Sequence, residues 1–197
     1  MNDFRRRTPS RRLHPSSQTL YTNYKSELRE DFNERCGYCG DHDFFRTTFY
    51  EIDHFVPKEQ FKTIKANTYS NLVYSCRSCN NSKRAKWPTN DENIHNNGNV
   101  GFIDPCDQNY QKQFHRGKDG SIIADTQLGQ WIYSALNFAN PVHRIVWNME
   151  RLRVLIQDIK NRLDLGDMDQ ESSTDFLRII DAYFEYENEL RGGEPKF

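Results

Sequence analysis

Cys36-Gly37-Tyr38-Cys39 and Cys76-Arg77-Ser78-Cys79 are the two segments that decide the fold of this 197-residue chain. Each C-x-x-C segment forms a tight turn that presents two thiolates, and two such turns complete a closed tetrahedral site for a structural zinc ion. Two separate redox pairs are the alternative interpretation. The sequence therefore predicts a Zn²⁺ ion bound by Cys36, Cys39, Cys76 and Cys79, which pins the segment around residue 40 to the segment around residue 78.

Residue types suited to phosphodiester hydrolysis lie between and beside the two cysteine pairs. Asp53-His54 ends a stretch rich in aromatic and β-branched residues, and Asn80 follows the second pair immediately. Histidine has the ordinary pKa closest to neutral pH, so His54 is the candidate general base. Asp53 and Asn80 offer the hard oxygen ligands that Mg²⁺ or Mn²⁺ prefers, and we expect them to bind the catalytic cation.

The order Cys-x-x-Cys, Asp-His, Asn-Leu and Cys-x-x-Cys-Asn-x-x-Lys resembles the HNH nuclease family, also called the ββα-metal or His-Me finger nucleases. The matching segments are 51–58, 71–73 and 76–83. The resemblance implies an α+β fold, in which a ββα-metal HNH core with structural zinc is flanked by an N-terminal helix and a C-terminal helical region. It also implies that Asn71 braces the loop beside the reaction site. The last motif position, often His, is Asn80 here, which makes this an H-N-N variant.

The adjacency of Asp53 and His54 constrains where the pair can lie. Neighbouring residues on a regular strand point to opposite faces of the sheet, so both cannot line one cleft from the middle of a strand. We therefore expect the pair at a point where the strand ends or bends.

Basic residues near the motif are candidates for phosphate contacts. On the helix that follows Cys79, the positions of Asn80, Lys83, Arg84 and Trp87 fall on one face. Lys58, Lys83 and Arg84 are therefore the predicted nucleic-acid-binding residues, with a solvated helix face as the alternative.

Charge is unevenly distributed along the chain, although the net charge is only −1. Positions 35–87 hold nine Lys/Arg against five Asp/Glu, and positions 164–197 hold ten acidic residues against three basic ones. We therefore expect phosphate to bind near the cysteines. No apolar run approaches the roughly 18 residues of a membrane span, and the arginine-rich N-terminus lacks the apolar stretch of a signal peptide, so the expected location is the cytoplasm.

The rest of the chain divides by composition and periodicity. We predict a flexible basic tail at 1–16, a nuclease core with a preceding helix at 17–88, a loop-rich connector with a hairpin at 89–126, and a helical region at 127–197. Within these segments, the patterns favour helices at 17–34, 80–86, 127–139, 141–163 and 174–190, and hairpins at 44–56 and 113–124.

The predicted function is metal-dependent endonucleolytic cleavage, with double-stranded DNA as the expected substrate and RNA or single-stranded DNA left open. Segments 53–58 and 101–105 also resemble HNH proteins of bacterial anti-phage systems of the Septu and retron-associated type. That resemblance implies a partner ATPase of the ABC or SMC-like class, for which the acidic helical end is the predicted docking surface. A non-catalytic zinc-ribbon module that binds nucleic acid or protein is the main alternative.

Overall fold

The computed structural model describes residues 2–45, 50–165 and 170–192. The described strands form two antiparallel sheets, one in the order β1-β4-β5 and one that pairs β2 with β3. The strands are β1 (Asn2–Asp3), β2 (Tyr50–His54), β3 (Leu72–Cys76), β4 (Phe114–Arg116) and β5 (Ile122–Ala124), and the helices are α1 (Lys25–Asp31), α2 (Arg77–Lys83), α3 (Gln108–Gln111), α4 (Gln127–Ala135), α5 (Val142–Asp164) and α6 (Gln170–Leu190). Helices and small sheets together confirm the α+β class.

Strands β2 and β3 and helix α2 form a ββα unit. The register runs from Tyr50 opposite Cys76 to His54 opposite Leu72, and α2 begins directly after β3. In the segment 44–56, predicted as a hairpin, residues 50–54 form β2, which pairs with β3 about 20 positions further along the chain, and Asp43–Phe45 form a 3₁₀ turn. All five β3 residues are buried, as expected for an apolar strand that covers a neighbouring one. Of that predicted hairpin, positions 46–49 lie outside the described residues.

Helix α1 packs on this unit through Leu28, which is fully buried, and Phe32 follows it into the core. The helix is shorter than the predicted 17–34, because a 3₁₀ turn precedes it and Asn33 and Glu34 have positive φ angles of 54° and 60°. Leu20, which lies within the predicted helix, instead precedes the 3₁₀ turn and is 61% exposed.

The N-terminal segment is not the flexible tail that its composition suggested. Strand β1 pairs with β4, and Phe4 is buried beside it. The Arg5 guanidinium is also buried and donates hydrogen bonds to the carbonyls of Gly37 (2.8 Å) and Pro105 (2.6 Å). Arginine has five donors on a planar group, so it can serve buried backbone acceptors as well as solvent, and composition alone does not distinguish the two uses.

The connector and the helical region follow their predicted order. Strands β4 and β5 form the predicted hairpin, and the Thr126 hydroxyl accepts from Gly129 N at the start of α4. The Asn140 side chain accepts from Val142 N where α5 begins. Buried residues of α5 extend only as far as Glu150, and α5 also packs against α6. Among the described residues, no helix has the length and apolar character needed to cross a membrane.

Arg116 on β4 joins the separate parts of the chain. Its guanidinium, 2% exposed, donates to backbone carbonyls of four segments: Phe4 beside β1, Cys39 in the first cysteine turn, Gly120 in the hairpin and His143 at the start of α5. A carboxylate oxygen of Asp41 lies 3.8 Å away, and Asp41 also accepts from His143 Nδ1 at 2.7 Å. Arg116 therefore connects the cysteine turn to both flanking regions.

Arg116→Met should destabilise the protein by about 3–5 kcal/mol, because the variant leaves buried carbonyls without their donor and removes the positive charge beside the buried Asp41 carboxylate. Urea unfolding followed by circular dichroism measures this loss. Arg178→Met is the matched control, since Arg178 is an exposed arginine with one partner in the same helix, and it should change stability by less than about 0.5 kcal/mol. Equal midpoints for the two variants would contradict the role assigned to Arg116.

Candidate active site and zinc centre

The four predicted zinc ligands are brought together. The Sγ atoms of Cys36, Cys39, Cys76 and Cys79 lie within 4.8 Å of one another, and all four residues are buried. Cys39 Sγ and Cys76 Sγ are 3.8 Å apart, which matches the separation of about 3.8 Å that four thiolates at a Zn–S distance of about 2.3 Å would have. The donor set and its spacing therefore fit a tetrahedral zinc ion.

The burial and mutual proximity of the four thiols favour a bound cation. Burial raises the pKa values of Cys39 and Cys79 well above the ordinary value. Burial acts on Cys36 in the same direction, but hydrogen bonds from the neighbouring thiols bring its pKa below the ordinary value. Thiols this close cannot all ionise alone, because each thiolate repels the next, so a cation that replaces the protons is required for four thiolates.

Asp53 is held by two side chains. Tyr38 Oη donates to Asp53 Oδ2, and Lys83 Nζ lies 2.8 Å from the same oxygen. Burial raises the pKa of Asp53, while Lys83 and Tyr38 act in the opposite direction. Lys83 Nζ also donates to the backbone carbonyl of His54 at 2.8 Å. These contacts fix the end of β2 against α2.

Asn80 lies one turn before Lys83 on α2 and faces the same side of β2 as Lys83 does. Its Nδ2 donates to Glu51 Oε2 at 2.8 Å, and Arg77 Nε donates to Glu51 Oε1 at 3.2 Å. Because Glu51 and Asp53 are two positions apart on a strand, they share a face. Among the described residues, no hydrogen bond engages Oδ1 of Asp53 or Oδ1 of Asn80. Two hard oxygen donors beside a second carboxylate suit Mg²⁺ or Mn²⁺ better than softer metals.

His54 is the last residue of β2, so the expectation that the pair lies at a strand end is confirmed. Its Nε2 lies 2.8 Å from the Ala66 carbonyl. A carbonyl can only accept, so Nε2 carries the proton and Nδ1 holds the free lone pair of the neutral ring. The ring is 4.6 Å from Tyr21 and 5.7 Å from Phe61 between centroids. Burial lowers the pKa of His54, although the Ala66 carbonyl raises it, and the net shift favours the neutral form.

Asn71 occupies the bracing position that the resemblance implied. Its Oδ1 accepts from Val56 N at 2.8 Å and its Nδ2 donates to Val56 O at 3.0 Å. The Asn71 carbonyl also accepts from Phe55 N. The backbone just after His54 is therefore fixed from both sides.

The three predicted phosphate ligands differ in exposure. Lys58 and Arg84 are exposed, and Lys58 Nζ lies 4.4 Å from the Tyr21 ring centroid, beside His54. Lys83 has no exposed side-chain surface, so the expectation that it meets phosphate from an open helix face is wrong for this structure. The helix predicted at 80–86 is α2 at Arg77–Lys83, so Arg84, with a φ of 47°, and Trp87 lie beyond its end and the predicted shared helical face is wrong. Lys83 is buried where it pairs with Asp53, 30 positions earlier in the chain.

Glu51 and Tyr38 orient the site, but the sequence did not identify them as functional residues. Glu51 could have been found, because it stands two positions before Asp53 on the predicted strand. Tyr38 stands inside a cysteine turn, and nothing in its local pattern shows that its hydroxyl reaches Asp53.

Comparisons with known proteins agree with this geometry. Residues 36–86 match the model of a family described as HNH endonuclease. The chain is also 23% identical over 202 residues to the Septu protein PtuB of Bacillus mycoides (strain KBAB4), an alignment that covers 84% of this chain and 68% of that protein. No solved structure gives a significant match. The matched family segment contains all four cysteines together with Asp53, His54, Asn71 and Asn80.

Proposed function

Since residues 36–86 carry the HNH endonuclease match, we propose that this protein is a divalent-cation-dependent endonuclease that hydrolyses phosphodiester bonds in DNA. The observation that carries the proposal is the arrangement at the end of β2. There, an imidazole with a free Nδ1 follows directly on the carboxylate of Asp53, which packs against the helix of Asn80. A zinc-ribbon module would need the cysteines but would not need Asp53, His54 and Asn80 in this arrangement.

In the proposed reaction, each group has a separate task. Asp53 and Asn80 would hold Mg²⁺ or Mn²⁺, which would supply positive charge to offset the charge that develops on the phosphate oxygens. His54 Nδ1 accepts the proton of the attacking water. Lys58 and Arg84 hold phosphates of the flanking backbone. The zinc ion takes no part in the chemistry, because four thiolates leave it no open position.

We also propose that the protein acts as the effector of an anti-phage defence system, which the similarity to a Septu protein supports. Its proposed partner is an ATPase of the ABC or SMC-like class, docked on α5 and α6. Large apolar side chains on these helices are exposed, among them Leu163 at 42% and Leu177 at 63%, and Leu165, directly after α5, is 82% exposed. Apolar side chains rimmed by acidic ones are a common composition for a protein-binding surface.

Plasmid cleavage tests the nuclease proposal. Purified protein should nick or linearise supercoiled plasmid with Mg²⁺ or Mn²⁺. Cleavage should stop when EDTA removes the added cation. Asn80→Ala should cut at least about 10–100-fold more slowly, since losing even an outer partner of a metal ligand costs that much. The matched control is Asn81→Ala, whose side chain is exposed one position along the same helix.

The outcomes separate the two functional classes. Equal rates for Asn80→Ala and Asn81→Ala would reject the assigned cation site. Nucleic-acid binding without cleavage in either cation would favour the zinc-ribbon module. Parallel reactions on single-stranded DNA and RNA decide the substrate class.

A further inference from the structure

The loop at 61–66 is held by one buried carboxylate from a distant part of the chain. Glu92 is 3% exposed. Its Oε2 accepts from Lys62 N at 2.7 Å, and its Oε1 accepts from Thr63 N at 2.9 Å and from the Thr63 hydroxyl at 2.7 Å. Ile64 N lies 3.4 Å from Oε2. Three successive backbone N–H groups thus converge on a single anion, as in a backbone nest.

The same loop supplies the groups that hold His54. Ala66, three positions after Thr63, accepts the Nε2 proton through its carbonyl. Phe61, at the other end of the loop, packs edge-on against the imidazole. Beyond Ala66 the chain is fixed by its own turn, in which Thr68 N donates to the Lys65 carbonyl. Before Ala66, Glu92 holds residues 62–64, and the Thr68 hydroxyl accepts from Lys65 N at 3.0 Å.

We propose that Glu92 is a positioning residue for the general base, acting through the 61–66 loop. Its carboxylate places the Ala66 carbonyl where it accepts the Nε2 proton of His54, which keeps the imidazole in the tautomer with a free Nδ1. The catalytic consequence rests on the proposed nuclease function, whereas the choice of tautomer does not.

The chemistry of the anchor requires a carboxylate. An ionised carboxylate only accepts hydrogen bonds, and each of its contacts here is to an N–H or O–H donor. The Thr63 hydroxyl and the Lys62 N–H lower the pKa of Glu92 to about 2, so the anion persists at neutral pH. An amide at this position would turn an NH₂ group toward the loop N–H groups, and the loop would have to move away.

Glu92→Gln and Thr63→Val test this role, because the first replaces the carboxylate and the second removes one of the groups that donate to it. Glu92→Gln should lower kcat about 10–100-fold, because small misplacements of a catalytic group have effects of this order, while KM stays within twofold. Thr63→Val removes one of the four groups that donate to Glu92 and should give a smaller loss in the same direction. The matched control is Asn93→Ala, which changes an exposed side chain next to Glu92 and should leave kcat unchanged.

A spectroscopic measurement separates positioning from general destabilisation. Imidazole ¹⁵N chemical shifts of His54 in the folded, zinc-loaded protein should report the Nε2–H form in the wild type and in Asn93→Ala, and a mixture of tautomers in Glu92→Gln. Thermal unfolding of the same samples must show that all are folded at the assay temperature.

The Nε2–H tautomer persisting in Glu92→Gln would overturn the proposal, as would a kcat loss with no change in tautomer. If the wild type cleaves no nucleic acid, the nuclease proposal fails, but the ¹⁵N shifts still decide whether Glu92 sets the tautomer. The two failures are therefore distinguishable.

Discussion

Cys76→Ser is expected to abolish zinc binding and to unfold the ββα unit. Cys76 contributes its Sγ to the four-thiol cluster, and that sulfur also accepts from Cys79 N at the start of α2. A serine hydroxyl is a poor zinc ligand, so three thiolates would remain around an open site. Removal of zinc from the wild type by a strong chelator should give the same unfolded segment.

The size of this effect follows from the energies involved. Structural zinc sites contribute about 10–16 kcal/mol of apparent binding free energy at neutral pH, whereas a whole domain is typically stable by only about 5–15 kcal/mol. The cluster joins the turn at Cys36 to the end of β3, and Arg116 ties that turn to the rest of the chain. The unfolding caused by loss of the ion should therefore extend beyond the cysteines and loosen the packing of α5.

Metal analysis, near-ultraviolet circular dichroism and limited proteolysis measure this outcome. The wild type should contain one zinc per chain, and Cys76→Ser none. Cys106→Ser is the matched control, because Cys106 is a half-buried thiol outside the four-cysteine cluster. Iron in place of zinc, or a folded and protease-resistant Cys76→Ser protein, would overturn the structural-zinc assignment.

The parts of the site that the sequence predicts are those encoded by short spacing. Two C-x-x-C turns specify their own thiol geometry, and Asp53-His54 at the end of a β-rich stretch specifies a strand terminus. Both follow from rules that act within a few residues. Metal ligands are therefore easier to find than the groups that orient them.

The parts that the sequence does not predict depend on partners far along the chain. The local sequence around Arg5 does not show whether its side chain is solvated or donates to the carbonyl of Pro105, 100 positions away. Strand β2 has no local signal that its partner is β3 rather than the segment before it. Glu92 stands in an Asn- and Asp-rich stretch, where nothing distinguishes a buried anchor from a solvated side chain. Such contacts depend on which distant segments pack together, and short-range sequence patterns do not predict that.

His54→Ala is expected to lower the cleavage rate by about 10²–10⁴-fold, the usual contribution of a general base. Binding of DNA should change little, because the phosphate contacts are assigned to Lys58 and Arg84. The imidazole also packs against Tyr21 and Phe61, so alanine leaves a gap beside the loop. His54→Gln is the second variant, since its amide can still donate to the Ala66 carbonyl but cannot accept the proton of water at neutral pH.

Both variants should retain zinc and a cooperative unfolding transition, which separates lost chemistry from lost structure. His14→Ala is the control for histidine content, because His14 is exposed, and it should cut at the wild-type rate. If His54→Gln cuts as fast as the wild type, another group removes the proton, and the free Nδ1 created by the Ala66 contact has no catalytic use. If both variants are slow while His14→Ala is not, the base is the imidazole at the end of β2, and its orientation by the 61–66 loop becomes the determinant of rate.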